Sequence, residues 1–246
     1  MKIHDPRLEL AAVRAQYNNP AAYNSSDSWH RFTEILIRKE LARLWPSLPT
    51  KPGHVILNAG SGGNDLGLCP DSTINLDISE VRVARLPNPV VGSIEALPFA
   101  SGTIDMIVCV GSVINYCDAA AAISEFGRVL RPNGQIVLEF ESSRSAELMT
   151  QDAFGQTVAV AETFYADQKE VVWVYSPEYI KNLLLGAGFT IVRRVPIHVL
   201  SPWMLLITRS VSVASVIARL DRLARYLPIL SRWASNHLLF CQKPSA

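Results

Sequence analysis

The sequence predicts an α/β domain built on a mostly parallel sheet covered on both faces, and three observations carry that expectation. Short apolar runs of the β-rich kind recur after Gly53: HVILN (54–58), TINLD (73–77), PVV (89–91), IDMIVCV (104–110) and QIVLEF (135–140). Most of them are continuously apolar, which only strands buried on two sides tolerate. A capped helical segment separates the last two, as a parallel crossover requires. With 246 residues, 49% of them apolar, the chain can bury one full core, so a single domain over 1–246 is expected and disorder is excluded as the main state.

Each element has a local pattern behind it. Residues 1–46 read as a helical strap: a short helix, a surface segment QYNNPAAYNSSDS, then a helix capped by Asp27 or Ser28 with Phe32, Ile35, Leu36, Leu41 and Leu44 near the 3.6 period until Pro46. The Pro52-Gly53 turn opens a core over 53–142, in which Asp118 caps the body AAAAISEFGRVL and RPNG ends it. Within 145–176 the alternation VAVAETFY and EVVWVY around ADQK predicts a hairpin insertion. Ser176-Pro177-Glu178 starts a helix that runs to Gly186 and Gly188. TIVRRV reads as a strand, about 203–235 as one long amphipathic helical stretch, and HLLFCQ as the closing strand. No internal repeat is visible.

Composition narrows the function. The net charge of +1 points away from nucleic acid as partner. It conceals an asymmetry: from Arg193 onward there are eight basic residues and a single acid, Asp221, whereas the preceding chain is acidic. Cys69, Cys109, Cys117 and Cys241 form no C-x-x-C pair, which fits a reducing cytoplasm. The histidines at 4, 30, 54, 198 and 237 show no ligand spacing, so no metal is expected. The N-terminal residues lack a signal-peptide core, and the apolar run Val199–Thr208 is about half of what a spanning helix needs.

The chemistry begins where the first strand runs into Asn58-Ala59-Gly60-Ser61-Gly62-Gly63, a glycine-rich turn that lets backbone N–H groups approach a ligand. Asp77, seventeen residues beyond Gly60, ends the second strand. An acid there can accept two hydrogen bonds from a ribose diol, in nicotinamide and adenosyl ligands alike.

The residues beyond Asp77 distinguish the two ligand classes. The ordered set VGSIEALPFASGTIDMIVCVGSVINY, a helix, then GRVLRPNGQIVLEF strongly resembles the class I S-adenosylmethionine-dependent methyltransferases, tightly over about 53–142 and loosely through the GAGF turn to the end. The resemblance implies a Rossmann-like, seven-stranded sheet of order 3-2-1-4-5-7-6 with its last strand antiparallel and helices on both faces. It implies S-adenosylmethionine as cofactor and S-adenosylhomocysteine as product. Gly60, Ser61 and Gly62 would line the methionine part, Asp77 would hold both ribose hydroxyls, and Ile78 would pack on the adenine. Ile94 would bring an N–H to the adenine ring, Val110 and Gly111 would approach the sulfonium end, and Tyr23 would be a lid residue.

Three departures from the family stand out. Asn58 replaces the acid that usually meets the cofactor's ammonium, Ser93 replaces the Asp before the adenine contact, and the helix after the glycine turn contains Gly67 and Pro70 and looks shortened. They keep open a catalytically silent S-adenosylmethionine-binding or scaffold protein beside the enzyme reading. The candidate bases are Tyr116, Glu141 and His198, each with an ordinary structural role as the alternative. Tyr165 and Lys169 match the Tyr-x-x-x-Lys pair of short-chain dehydrogenases, but that pair needs a helix and here a strand pattern begins at once. Ile114-Asn115-Tyr116 lacks the Pro-Pro motif of base-flipping enzymes.

The family usually needs only a tight hairpin between its last two strands, yet here about forty residues, 196–235, intervene. Val213, Val216, Ile217, Leu220 and Leu223 can share one face and Arg219, Arg222 and Arg225 another. Two readings stand: an apolar face packed on the sheet with a basic rim, or a lid or anionic-membrane contact serving a small or amphiphilic acceptor. In the second, the protein would be cytoplasmic and membrane-peripheral.

Overall fold

The computed structural model describes residues 10–18, 28–44, 53–165 and 168–245. Two helices come first, α1 (Leu10–Asn18) and α2 (Ser28–Leu44). Tyr23 and Asp27 lie outside the described residues. The chain continues as β1 (Ile56–Ala59), β2 (Thr73–Asp77), α3 (Glu80–Val83), β3 (Pro89–Val91), β4 (Ile104–Cys109), α4 (Ala119–Val129) and β5 (Leu130–Glu141). The second half contributes the hairpin β6 (Val158–Tyr165) and β7 (Gln168–Tyr175), then α5 (Pro177–Gly186) and β8 (Thr190–Ile197). Helices α6 (Ser201–Thr208), α7 (Val211–Ala224) and α8 (Pro228–Ser231) precede β9 (Asn236–Gln242).

Seven strands form one sheet in the order β3-β2-β1-β4-β5-β9-β8. β1 to β5 pair in parallel, and β9 runs antiparallel to both β5 and β8. With the separate β6-β7 hairpin set aside, this is the 3-2-1-4-5-7-6 order that the family resemblance implies. Alternate residues of the central strands enter different cores. Leu57, Ile107 and Ile136 pack with Ile123 and Phe126 of α4 and Leu184 of α5. Ile56, Met106, Val108 and Val137 pack instead with Ile37 and Leu41 of α2. Two-sided burial is why these strands carry no polar face. Asp118 caps α4 as expected, its Oδ1 accepting the N–H groups of Ala120 at 2.9 Å and Ala121 at 3.2 Å.

Three local expectations need correction. Residues 61–69 form no helix, and only a 3-10 turn at Pro70–Ser72 is helical. Gly62, Gly63, Leu66 and Gly67 all have positive φ, which a right-handed helix cannot include. The strand expected at 135–140 begins earlier, at Leu130, with an irregularity between its pairings to Ile104 and Met106. The stretch 203–235 is three helices: Arg209 ends α6 in the left-handed region at φ 51°, Ser210 starts α7 anew, and Pro228 starts α8.

The apolar stripe of α7 also points the other way from the packed arrangement. Ala214, Ala218, Asp221 and Ala224 are its buried residues, whereas Val213, Val216, Leu220 and Leu223 are exposed. α7 packs beside α6, and Arg225 ties it to α2 through a 2.9 Å ion pair with Glu40. Tyr165 and Lys169 fall on the two strands of the hairpin, so the dehydrogenase-like pair has no helix to sit on.

Candidate active site

The carboxyl ends of β1, β2, β4 and β5 open into one cavity of about 840 Å³, roofed by α1, α2 and the hairpin. Asn58, Gly60, Ser61, Gly62, Asp77, Ile78, Ser93, Ile94, Val110 and Gly111 all line it, together with Tyr116 and Glu141. Residues far apart in sequence thus meet at the end of the sheet where α/β folds bind ligands.

The glycine turn is held from two sides. The N–H groups of Gly60 and Ser61 donate to the Leu76 carbonyl at 2.8 and 2.9 Å, joining the turn to β2. Gly60 stands at φ 73°, and an added Cβ would collide with the Val113 side chain. Asp77 accepts one backbone N–H on each oxygen, from Gly62 at 2.6 Å and Ser79 at 2.8 Å. A carboxylate has about four acceptor sites, so both oxygens retain capacity for a diol. Burial raises the Asp77 pKa, opposed by those N–H groups and by Arg82.

Whether these residues fit an adenosyl ligand can be judged from the side chains themselves. Ser61 Oγ, inside the glycine turn, is buried and has no hydrogen-bond partner, the kind of group a bound ligand satisfies. Gly111 stands at φ 89° where an added Cβ would meet nothing within 4 Å, leaving its backbone open to the cavity. Ser93 Oγ accepts the Glu95 N–H at 3.1 Å and keeps its own proton to donate. The donor set fits.

Asn58 has a structural cause. The Asn75 amide donates to the Pro87 carbonyl at 2.7 Å, which turns its oxygen toward Asn58. Asn58 Nδ2 donates to that oxygen and to the Asn64 carbonyl, both at 2.8 Å. A carboxylate at 58 would face two acceptors with no proton to offer, so the buried pair selects the amide. An acid does stand nearby: Glu34 of α2 lines the cavity and accepts from Asn64 Nδ2 at 2.6 Å.

At the other end the walls are acidic. Glu141 is raised to about 7, first by burial and then by the neighbouring Glu139 carboxylate. Asn115, fully buried, aligns that strand end: it accepts the Glu141 N–H at 2.9 Å and donates to the carbonyls of Glu141 and Trp173. Glu139 accepts the N–H groups of Gly111 at 2.9 Å and Ser112 at 2.6 Å, and Asn236 Nδ2 on its second oxygen. It thereby shapes the loop after β4, in which Ser112 is left-handed at φ 57°. Tyr116 donates to Glu170 at 2.6 Å, while Gln16 of α1 donates to the other Glu170 oxygen.

The three candidate bases separate on these facts. Burial, with Tyr17 and Glu170 beside it, holds the Tyr116 phenol well above its ordinary pKa, so it is a proton donor. His198 does not line the cavity. It is buried at the foot of the cap, bonded to Thr33 Oγ1 at 2.9 Å and Ser201 Oγ at 3.0 Å, and burial takes it down to about 3. Glu141 alone of the three lines the cavity with a titration near neutrality. Sequence reasoning missed Glu34, Glu139 and Glu170. A Glu amid the apolar run VLEF was the one local signal, since a charge inside a buried strand needs partners.

The chain is similar to known proteins in part of its sequence and in its fold. Residues 57–138, about a third of the chain, match the family described as a methyltransferase domain. The chain is 33% identical over 121 residues to the demethylmenaquinone methyltransferase of Beutenbergia cavernae, covering 43% of this chain and 50% of that one. It is 27% identical over 169 residues to the ubiquinone/menaquinone biosynthesis C-methyltransferase UbiE of Hydrogenovibrio crunogenus, covering 56% and 66%. The chain thus spans half to two-thirds of the length of these curated relatives. A Thermotoga maritima structure described as a possible histamine N-methyltransferase shares the fold, with TM-score 0.59 and 14% identity over 94% of this chain and 99% of that one. The sheet has the strand order of the class I methyltransferase fold, and residues 57–138 match the methyltransferase-domain family.

Proposed function

We propose that the chain transfers a methyl group from S-adenosylmethionine to a small or amphiphilic acceptor whose nucleophile arrives carrying a proton. The observation that carries this reading is the single cavity that joins the glycine turn and Asp77 at one end to Glu141 at the other. When bound, S-adenosylmethionine supplies a sulfonium methyl group for in-line displacement.

Asp77 would hold the ribose, Ile78 and Ile94 the adenine, and Ser61 the methionine portion. The Glu139-braced loop at Gly111 and Ser112 sets the floor against which the acceptor is aligned, and alignment with exclusion of water is the main contribution to the rate. Glu141 takes the acceptor's proton, and the Tyr116–Glu170 pair fixes the acceptor's orientation. The relatives named for quinone substrates support an acceptor with an apolar body. The test is release of S-adenosylhomocysteine when the protein meets fractions of a metabolite extract. Turnover in at least one organic-soluble fraction is expected, and binding without release in any fraction would favour the silent binder.

Glu34 is part of the same reading: it replaces, from α2, the carboxylate that Asn58 lacks. A Glu34→Gln variant is expected to bind S-adenosylhomocysteine about three- to tenfold more weakly, because its carboxylate is half-exposed and screened. Affinity for 5′-methylthioadenosine, which has no ammonium, should not change. Equal losses for both ligands would assign Glu34 a purely structural role.

A further inference from the structure

From the exposed face of the helical cap, we infer that α6, α7 and α8 form a docking surface for an anionic lipid bilayer. α7 is amphipathic in an unusual sense. Its buried side is made of small residues, and Val213, Val216, Leu220 and Leu223 form a stripe on the opposite, solvent-facing side. The apolar exposure continues onto the neighbouring helices: Ile207 of α6 is 74% exposed, Leu223 of α7 70%, and Ile229 of α8 73%. Tyr226 and Leu227, between α7 and α8, are more than half exposed as well. So many large apolar side chains exposed on three successive helices of a folded domain mark a contact surface.

Charge identifies the occupant. Arg219 and Arg222 flank the stripe on α7 by helical geometry, and Arg209 and Arg232 stand exposed at the ends of α6 and α8. Arg225, hydrogen-bonded to the Tyr226 phenol, lowers its pKa, with smaller contributions from Arg43 of α2 and Arg193 of β8. The single acid of residues 196–235, Asp221, is buried under the cap. It accepts the Leu200 N–H and the Ser201 hydroxyl, both at 2.6 Å, and presents no charge to the face. An apolar stripe rimmed by arginines is complementary to anionic headgroups above acyl chains. A second copy of the same face would bring like charges together.

No helix among the described residues is long and apolar enough to cross a membrane, so the face would lie in the interfacial layer. The position also suits an interfacial enzyme. Leu205 lines the cavity, and the exposed residues Leu206 and Ile207 come directly after it. The cap thus connects the acceptor chamber to the proposed bilayer surface, and an acceptor dissolved in the membrane would reach the chamber beside α6.

The test is sedimentation of the full chain with phosphatidylcholine vesicles, with and without phosphatidylglycerol, at low and raised salt. Binding to the anionic vesicles that weakens with salt is expected, with neutral vesicles at least tenfold poorer. Replacing Arg219 and Arg222 by Gln should cost roughly thirtyfold, at about one kcal/mol per arginine near the surface. The triple variant Ile207→Ser, Leu223→Ser, Ile229→Ser should lose more than tenfold while melting and binding S-adenosylhomocysteine as the wild type does. No anionic-vesicle binding at low salt would overturn the inference. So would full binding by the triple variant, or a concentration-dependent dimer that the triple variant abolishes in a protein that ignores vesicles. Vesicle binding needs neither cofactor nor acceptor, so its failure and a failure of the methyl-transfer proposal are read separately.

Discussion

Glu141→Gln is expected to lower the methyl-transfer rate by roughly two to four orders of magnitude, the range over which a positioned base contributes. The amide keeps the size and the strand-end alignment by Asn115 but cannot accept the proton. Because the Glu141 carboxyl titrates at about 7, the wild-type rate should rise as pH increases through neutrality, and the variant's residual rate should lose that rise. Stability moves the opposite way. The folded-state pKa lies above the ordinary 4.5, so the stability this group contributes is complete below that value and is lost as pH rises through about 7. The variant carries no charge to desolvate, so at pH 8 it should be more stable than the wild type, by about 3 kcal/mol. A wild-type rate flat between pH 6 and 8, or an active glutamine variant, would remove Glu141 from the mechanism.

Asp77→Ala is expected to weaken S-adenosylhomocysteine at least a hundredfold. Asp77 lines the cavity and anchors a backbone N–H on each oxygen, so its removal would strip the diol partner and release the glycine turn at Gly62. Loss of two charge-assisted bonds alone accounts for about 3 kcal/mol or more. Asp77→Asn separates the contributions: its amide oxygen can still serve one N–H or one hydroxyl, so an intermediate loss is predicted. Equal affinity for wild type and Ala variant would place the adenosyl ligand elsewhere.

The sheet is legible in the sequence because its signal is local. Continuous apolar runs report two-sided burial, Asp118 and Ser176 mark helix starts, and the ordered motifs supply the strand order that periodicity cannot. The lower half of the site is legible for the same reason, since Gly60 to Gly62, Asp77 and Gly111 stand at the ends of β1, β2 and β4, which are neighbours in the sheet. The acceptor end is not. Tyr116 and Glu170 lie 54 residues apart, and Gln16 and Glu170 lie 154 apart, so no window of sequence contains them together. His198 reads as a loop residue because its partners, Thr33 and Ser201, come from α2 and the cap.

The cap shows a different limit. Helical spacing groups Val213, Val216, Ile217, Leu220 and Leu223 on one side of α7, and all of them but the half-buried Ile217 are exposed. It cannot say which side the body takes, and the body takes the side of Ala214, Ala218 and Ala224. Periodicity specifies which residues share a face and leaves open what that face meets. Asn58 is comparable: the sequence presents it as a departure from the family, and the Pro87–Asn75–Asn58–Asn64 chain of hydrogen bonds gives the reason.

Everything proposed for the chemistry requires that the cavity at the carboxyl ends of β1, β2 and β4 take S-adenosylmethionine. Calorimetric titration of the wild-type protein with S-adenosylhomocysteine tests this most directly. Saturable binding of one molecule per chain in the micromolar range is the expected result. No heat and no competition with S-adenosylmethionine at millimolar ligand would show that the cavity serves some other molecule.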